Sequence, residues 1–392
     1  MRTIYLDHNA TTPLLPEVAA AMAQALLAGY ANPASQHAAG RRARHALEEA
    51  REGIARILGV DLTSRKPDRL LLTSGGTEAN NLAILGLAAA RAGGADRTLV
   101  TSPLEHPSSA GPVARLAERG WRVHLLSVSR SGAVDVSQAP QMLSTKTGLV
   151  SLMLANNETG VLQNVTELAE SCHRAGAALH TDAVQVVGKL PLDFHALGVS
   201  TMSISAHKFH GPVGIGALAV RHGVELAPQL FGGFQQHALR PGTEPVALAV
   251  GMHAALTAFE READARANRM RGLRDRFERR LRAGLTRIVI NGLSAAAPAI
   301  IGEHRLPHTS SVAFVGCDRQ ALLMALDLVG IACSTGSACA SGSSEPSPVL
   351  MAMGCPPDVV ASSLRFSLGA TTTEAEIDEA TERILAVAKK LG

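Results

Sequence analysis

Between residues 70 and 220 the chain alternates short apolar runs with stretches of helical spacing, and this alternation constrains its fold more than any other feature. The runs at residues 69–73, 98–101, 123–126, 149–153, 178–181 and 201–204 read as strands, and residues 78–91, 111–119 and 165–175 between them read as helices. Strands buried on both faces and joined by helical crossovers run parallel, so the pattern predicts an α/β fold built on a mostly parallel sheet. Ligands of such sheets bind where loops leave the carboxyl ends of the strands. Polar residues fall at those places: 74–77, Glu105 and His106, Asn156 and Asn157, Asp182, and 205–208.

Farther along, apolar residues from 252 to 281 recur at spacings of three and four with Glu and Arg between them, which predicts one long amphipathic helix. A helix of that length often bridges two domains, and 392 residues suit two domains better than one. A shorter α/β pattern follows, with strands at 311–315 and 363–367, while 231–245 and 333–348 read as long loops of the kind that carry function. A hydrophobic content of 46% supplies a sizeable core, and a net charge of +3 with interspersed signs argues against nucleic-acid or anionic-membrane partners. No apolar run reaches the roughly 18 residues of a membrane span, and the first residues lack a signal-peptide stretch. Five cysteines without a disulfide rhythm suit a reducing cytoplasm, where thiols stay free.

Four segments carry chemistry-bearing residues. In Ser203-Ile204-Ser205-Ala206-His207-Lys208 a lysine directly follows a buried strand; a surface lysine is one reading. The other is a desolvated amine, flanked by hydrogen-bonding Ser205 and His207, that loses its proton readily and forms a Schiff base with an aldehyde. Thr73-Ser74-Gly75-Gly76-Thr77-Glu78 is a strand, a glycine turn and a helix start: a phosphate cradle or a simple capped turn, without the Gly-Lys-Ser/Thr ending of a nucleotide loop. Asp182 either caps the next helix or keeps a pyridine nitrogen protonated, which makes the ring an electron sink. Cys339 lies among small residues in Gly336-Ser337-Ala338-Cys339-Ala340-Ser341-Gly342, as an accessible nucleophile would, whereas Cys333 follows an apolar run and reads as structural. A zinc site from His180, Asp182, His207 and His210 matches no standard ligand spacing.

In order along the chain, these segments and several others closely resemble the NifS/IscS-like cysteine desulfurases of the class V aminotransferase family. The most specific are Ala10-Thr11-Thr12-Pro13, Asn32-Pro33-Ala34-Ser35, residues 73–81, Glu105-His106, Asn156-Asn157-Glu158-Thr159-Gly160, residues 181–189, 205–216 and 336–347, and Arg365-Phe366-Ser367-Leu368-Gly369. The resemblance implies PLP fold-type I, with a seven-stranded-type sheet in a large cofactor-binding domain (15–255). The smaller α/β domain (1–14 and 256–392) would carry the catalytic-cysteine loop. Pyridoxal 5'-phosphate would be held by Lys208 through its aldehyde, by Asp182 at the pyridine nitrogen and by Gln185 at the ring hydroxyl. His106 would stack on the ring and help move protons. Gly76, Thr77, Ser205 and His207 would hold the phosphate, joined by Thr243 from the other subunit of a homodimer. Asn157, beside the cofactor, and Arg365 would bind the substrate, with the guanidinium gripping its carboxylate bidentately.

The implied reaction takes sulfur from L-cysteine, gives L-alanine and leaves a persulfide on Cys339, with Lys208, Cys339 and His106 as catalytic residues. The sulfur would pass to a protein acceptor such as an iron–sulfur scaffold. No standing metal site is expected; Cys339 is the candidate for a transient iron–sulfur ligand. An unperturbed thiol, with a pKa of about 8.5, is only slightly ionised at neutral pH, so a nearby base such as His106 is expected to assist it. Three departures stand out: Gly232-Gly233-Phe234-Gln235-Gln236-His237 where a Gly-Gly-Gly-Gln-Glu-Arg-like run is usual, Val213 where lysine is common, and an end at Gly392 where many members extend. The first leads to an expectation of weaker cofactor retention, the last of weaker scaffold recognition. The rivals are a selenocysteine lyase or another class V transaminase, which needs no Cys339, and a non-catalytic sulfur-transfer partner that keeps the fold.

Overall fold

Twelve strands form within residues 2–91, 97–143, 147–293, 304–336 and 345–391, which are those described by the computed structural model; Cys339 lies outside them. They are β1 (Ile4–Tyr5), β2 (Arg69–Thr73), β3 (Thr98–Thr101), β4 (Arg122–Leu125), β5 (Thr147–Ser151), β6 (Ala178–Asp182), β7 (Thr201–Ser205), β8 (Gly216–Val220), β9 (Ile288–Asn291), β10 (Thr309–Phe314), β11 (Ile331–Ala332) and β12 (Ser363–Ser367).

The main sheet has seven strands in the order β2-β8-β7-β6-β5-β3-β4. All its pairs are parallel except those of β8, which runs antiparallel to both β2 and β7. Because β8 sits between them, β2 and β7 still point the same way. The alternation of strands with helices does not announce β8, since it follows β7 through a turn with no crossover helix. Successive residues of each strand feed opposite faces, as the pleat requires. Leu70, Leu72, Val100, Val150, Leu179, Met202, Ala217 and Ala219 enter the core under the helices Ala38–Ile57 and Val246–Glu260. Leu71, Leu99, Leu149, Ala178, Leu218 and Val220 enter a second core under the helix Gly76–Ala90. Covered on both faces, β5, β6 and β7 are buried at every position.

The smaller unit is an antiparallel sheet, β12-β10-β9, with the parallel pair β1-β11 beside it. Ile4 and Leu6 from the N-terminus share its core with Phe277, Phe314, Phe366 and Ile384.

The single helix expected over 252–281 is two helices, Val246–Glu260 and Ala263–Gly284. At the junction Glu262 adopts φ −139°, ψ 21°, outside the helical region. Met252 and Leu256 belong to the large core, and Leu273, Phe277 and Leu281 to the small one, so the apolar stripe serves two cores. Buried Arg266 stitches the break, donating to Glu262 Oε1 and to the Ala258 carbonyl at 3.4 Å. Spacing alone does not reveal the interruption, because the three-and-four rhythm continues through it. No described helix is long and apolar enough to cross a membrane.

Candidate active site

Strands β2, β3, β5, β6 and β7 run in one direction, so the loops after them meet at one edge of the sheet. There they enclose a cavity of about 230 Å³. Gly76, Thr77, His106, Asn157 and Asp182 line it, as do Gln185, Ser205, His207 and Lys208. A wider surface depression of about 1000 Å³, beside Arg51, His222 and Glu244, contains none of these residues.

Lys208 ends the short helical turn Ala206–Lys208 that follows β7. Its Nζ donates to the carbonyls of Asn9 (2.6 Å) and Ala10 (2.8 Å), so the N-terminal segment aims the amine. Behind it, buried Lys189 donates to the Lys208 carbonyl. The Lys189 pKa is pushed down to about 7 by burial, then by the positive charges of Lys208 and Arg266. His207 is likewise pushed down to about 4, by burial and the same lysines, and is neutral at pH 7.

Asp182, at the end of β6, is buried and held at both oxygens: Oδ1 accepts from the Val184 amide (2.9 Å) and Oδ2 from Asn80 Nδ2 (2.7 Å). Asn80 Nδ2 also donates to Ser108 Oγ (2.8 Å), which lies 2.7 Å from His106 Nδ1. Asn80 Oδ1 receives Ser203 Oγ and His180 Nε2 (3.0 Å). One buried amide thus links the carboxylate to the histidine. Nothing in the spacing marks Asn80, one turn into the helix after the glycine pair.

His106 caps the helix Pro107–Glu118, its Nδ1 accepting from the Ser108 amide at 3.1 Å. Burial lowers its pKa, Asp182 opposes, and Lys208 and Arg365 lower it further. The neutral ring, accepting at Nδ1, carries its proton on Nε2. Next to it Glu105 is buried, accepts from the Met153 amide at 2.8 Å and is pushed up to about 8, mainly by burial. It is therefore a neutral acid at pH 7, which the Glu-His pairing in the sequence does not disclose.

Arg365, on β12, is buried beside the cavity without lining it. Its Nη2 pairs with Asp7 at 2.8 Å, and its Nη1 donates to the carbonyls of Asn157 (3.1 Å) and Gly336 (3.3 Å). Its Nε has no partner. Thr243 is exposed and does not line the cavity of its own chain. Cys333 packs on the small core, and its thiol pKa is driven far up by burial and Asp7. Among the described residues no three His, Cys, Asp or Glu side chains converge as metal ligands.

Residues 4–380 match the class V aminotransferase family model. A cysteine desulfurase IscS of Dictyoglomus turgidum is 39% identical over 390 residues, covering 100% of this chain and 95% of that one. Among solved structures, a NifS-like protein superposes with a TM-score of 0.89 at 31% identity, covering 99% of this chain and 100% of that one. A structure of SspA in complex with cysteine gives a TM-score of 0.79 at 30% identity, covering 95% and 100%. The chain belongs to the class V aminotransferase family, among its NifS/IscS-like cysteine desulfurases.

Proposed function

We propose that the cavity holds pyridoxal phosphate and that the protein takes the sulfur of L-cysteine, releasing L-alanine and leaving a persulfide on Cys339. The convergence of Lys208, Asp182 and His106 on one cavity carries this reading. Two buried polar atoms there, Gln185 Oε1 and Ser205 Oγ, have no partner, a state that costs about 1–3 kcal/mol unless a ligand satisfies it. They suit a ring hydroxyl and a phosphate. Gly76 and Thr77 open the helix Gly76–Ala90, whose first-turn amides lack partners within the helix and favour an anion, and a Cβ on Gly76 would come within 2.9 Å of Val184.

When bound, pyridoxal phosphate supplies an aldehyde that takes up amines and a ring that accepts the electron pair left on the substrate Cα. The chain supplies the rest. Lys208, aimed by two carbonyls, holds the cofactor and afterwards moves the Cα proton. Asp182, fixed by Asn80 and Val184, presents a carboxylate to the pyridine N–H. His106 accepts from the Ser108 amide at Nδ1, so the proton its neutral ring exchanges is the one on Nε2. Asn157 and Arg365 receive the substrate carboxylate, with the unpartnered Arg365 Nε as the donor at hand. The Cys339 thiolate attacks the substrate sulfur: the Cβ–S bond breaks, an S–S bond forms, and a proton replaces sulfur on the carbon that leaves as alanine. Thr243 of a second subunit completes the phosphate site in a homodimer. A protein such as an iron–sulfur scaffold then takes the sulfur, in the reducing cytoplasm.

The test combines absorbance with mass spectrometry. Wild-type protein loaded with the cofactor is expected to be yellow, to change spectrum with cysteine and to gain one sulfur on Cys339. Lys208→Ala should lose the visible band and turnover. Cys339→Ser should keep the spectral change but release no sulfide; undiminished release would make Cys339 a bystander and favour an elimination-type lyase.

A further inference from the structure

Asn157 and Glu158 are neighbours in one turn, yet they serve different places. Asn157 lines the cavity, whereas the Glu158 side chain is buried beside Gly336 and Ser347. Glu158 Oε2 accepts from Ser347 Oγ at 2.6 Å. The same oxygen lies against Gly336: a Cβ on that residue would sit 3.1 Å from it, and Gly336 has φ +92°, which favours glycine. Gly336 and Ser347 stand on either side of residues 337–344 in the chain, so one carboxylate bonds one flank and lies close beside the other. The reaction described above makes no use of it.

Other contacts reinforce the junction. The Ser347 hydroxyl accepts from the Leu350 amide at 3.1 Å, capping the helix Pro348–Ala352, so its proton must go elsewhere, and Glu158 takes it. Burial raises the Glu158 pKa, and the Ser347 hydrogen bond, Arg365 and Arg319 all oppose that rise. Each arginine also grips a flank: Arg319 donates to the Glu345 carbonyl, and Arg365 Nη1 to that of Gly336 at 3.3 Å. Arg365 further exchanges backbone bonds with Ser334, at 2.6 and 3.1 Å. Tying both ends of a segment to one point confines what it carries and raises its effective concentration at the target.

We propose that Glu158 is a positioning residue for sulfur transfer, pinning both flanks of the Cys339 segment to the turn that bears Asn157. This rests on the functional reading above. Glu158 does not touch the reacting atoms; it acts through Gly336 and Ser347, and its removal separates substrate capture from sulfur transfer.

The experiment compares cofactor-loaded wild type with Glu158→Ala, Glu158→Gln and the milder Ser347→Ala. In Glu158→Ala the cysteine-induced absorbance change should stay within about twofold of wild type, while single-turnover persulfide formation slows by about tenfold or more. Hydrogen exchange at the amides of Ser334, Gly336 and Leu350 should quicken by about tenfold, with β6 unaltered. Glu158→Gln, which keeps an acceptor oxygen, should recover part of the rate, and adding Ser347→Ala to Glu158→Ala should slow transfer no further. Wild-type persulfide formation in Glu158→Ala overturns the proposal, as does unchanged exchange at the flanks or an equal slowing of the absorbance change. If wild type itself forms no persulfide, the functional reading fails, and the exchange comparison still decides the clasp.

Discussion

Asn80 shows how a single side chain organises chemistry it does not perform. Its amide holds Asp182 and, through Ser108, the ring of His106, while its oxygen receives Ser203 and His180. Asn80→Ala should strand several buried polar groups and cost roughly 2–4 kcal/mol in denaturant melts, with weaker cofactor retention; an unchanged midpoint would argue that the network is not stabilising. Glu105 allows a prediction with a sign. Its folded pKa of about 8 lies above the ordinary carboxyl value of 4.5, so the folded state keeps a proton that the unfolded chain gives up. Its contribution is fully present below about pH 4.5 and is lost as pH rises through about 8, by up to roughly 5 kcal/mol. Glu105→Gln keeps an acceptor for the Met153 amide and cannot ionise. Its melting temperature should therefore fall less than that of wild type between about pH 6 and about pH 9. Parallel curves would show that Glu105 does not titrate in this range.

Among the elements, β2 is an edge strand of the main sheet, and the loop that departs from the family pattern covers it. Gln236 Oε1 accepts from the Leu72 amide at 2.6 Å and its Nε2 donates to the Leu72 carbonyl at 2.9 Å, so the side chain replaces a strand neighbour. Arg51 Nη1 donates to the same Oε1 at 3.0 Å and its Nη2 pairs with Glu244 at 2.6 Å. Gln236, His237 and Ala238 all have positive φ without being glycine, a strained run held by these bonds. The Gln236 change thus has a structural use, while Phe234 stays 91% exposed. Gln236→Ala should cost about 2 kcal/mol by chemical denaturation and speed amide exchange at Leu72. Loss of neither would mean that the loop docks by other contacts.

Across the whole molecule, the N-terminal segment ties the small core to Lys208. β1 joins β11, Ile4 and Leu6 fill the small core, and the Asn9 and Ala10 carbonyls hold Lys208. The Asn9 amide reaches Thr309 at 3.0 Å and the Asn157 carbonyl at 3.0 Å, and its oxygen lies 2.7 Å from His308 Nε2. The proposed assembly is testable at this scale: the protein should sediment as a dimer, and Thr243→Ala should lower cofactor affinity by about tenfold with the dimer intact. Mixed dimers of Lys208→Ala and Thr243→Ala chains should recover one competent site. A fully active monomer would remove Thr243 from the cofactor site.

By itself the sequence determined the strands of the main sheet, apart from β8, and the polar residues at their ends. Both signals are local: a doubly covered strand is an apolar run, and a binding loop begins where that run stops. Hence Lys208, Asp182, His106 and Ser205 were legible before any fold was known, and they share one cavity. Tertiary structure decided what depends on partners distant in the chain. The antiparallel place of β8 is set by β2, the break after Glu260 by a stripe facing two cores, and the hold on Arg365 by Asp7. Glu158 likewise became interpretable only when Gly336 and Ser347 came to rest on it. Burial periodicity writes each element into its own stretch of sequence, whereas the pairing of buried polar groups exists only after folding has brought those stretches together.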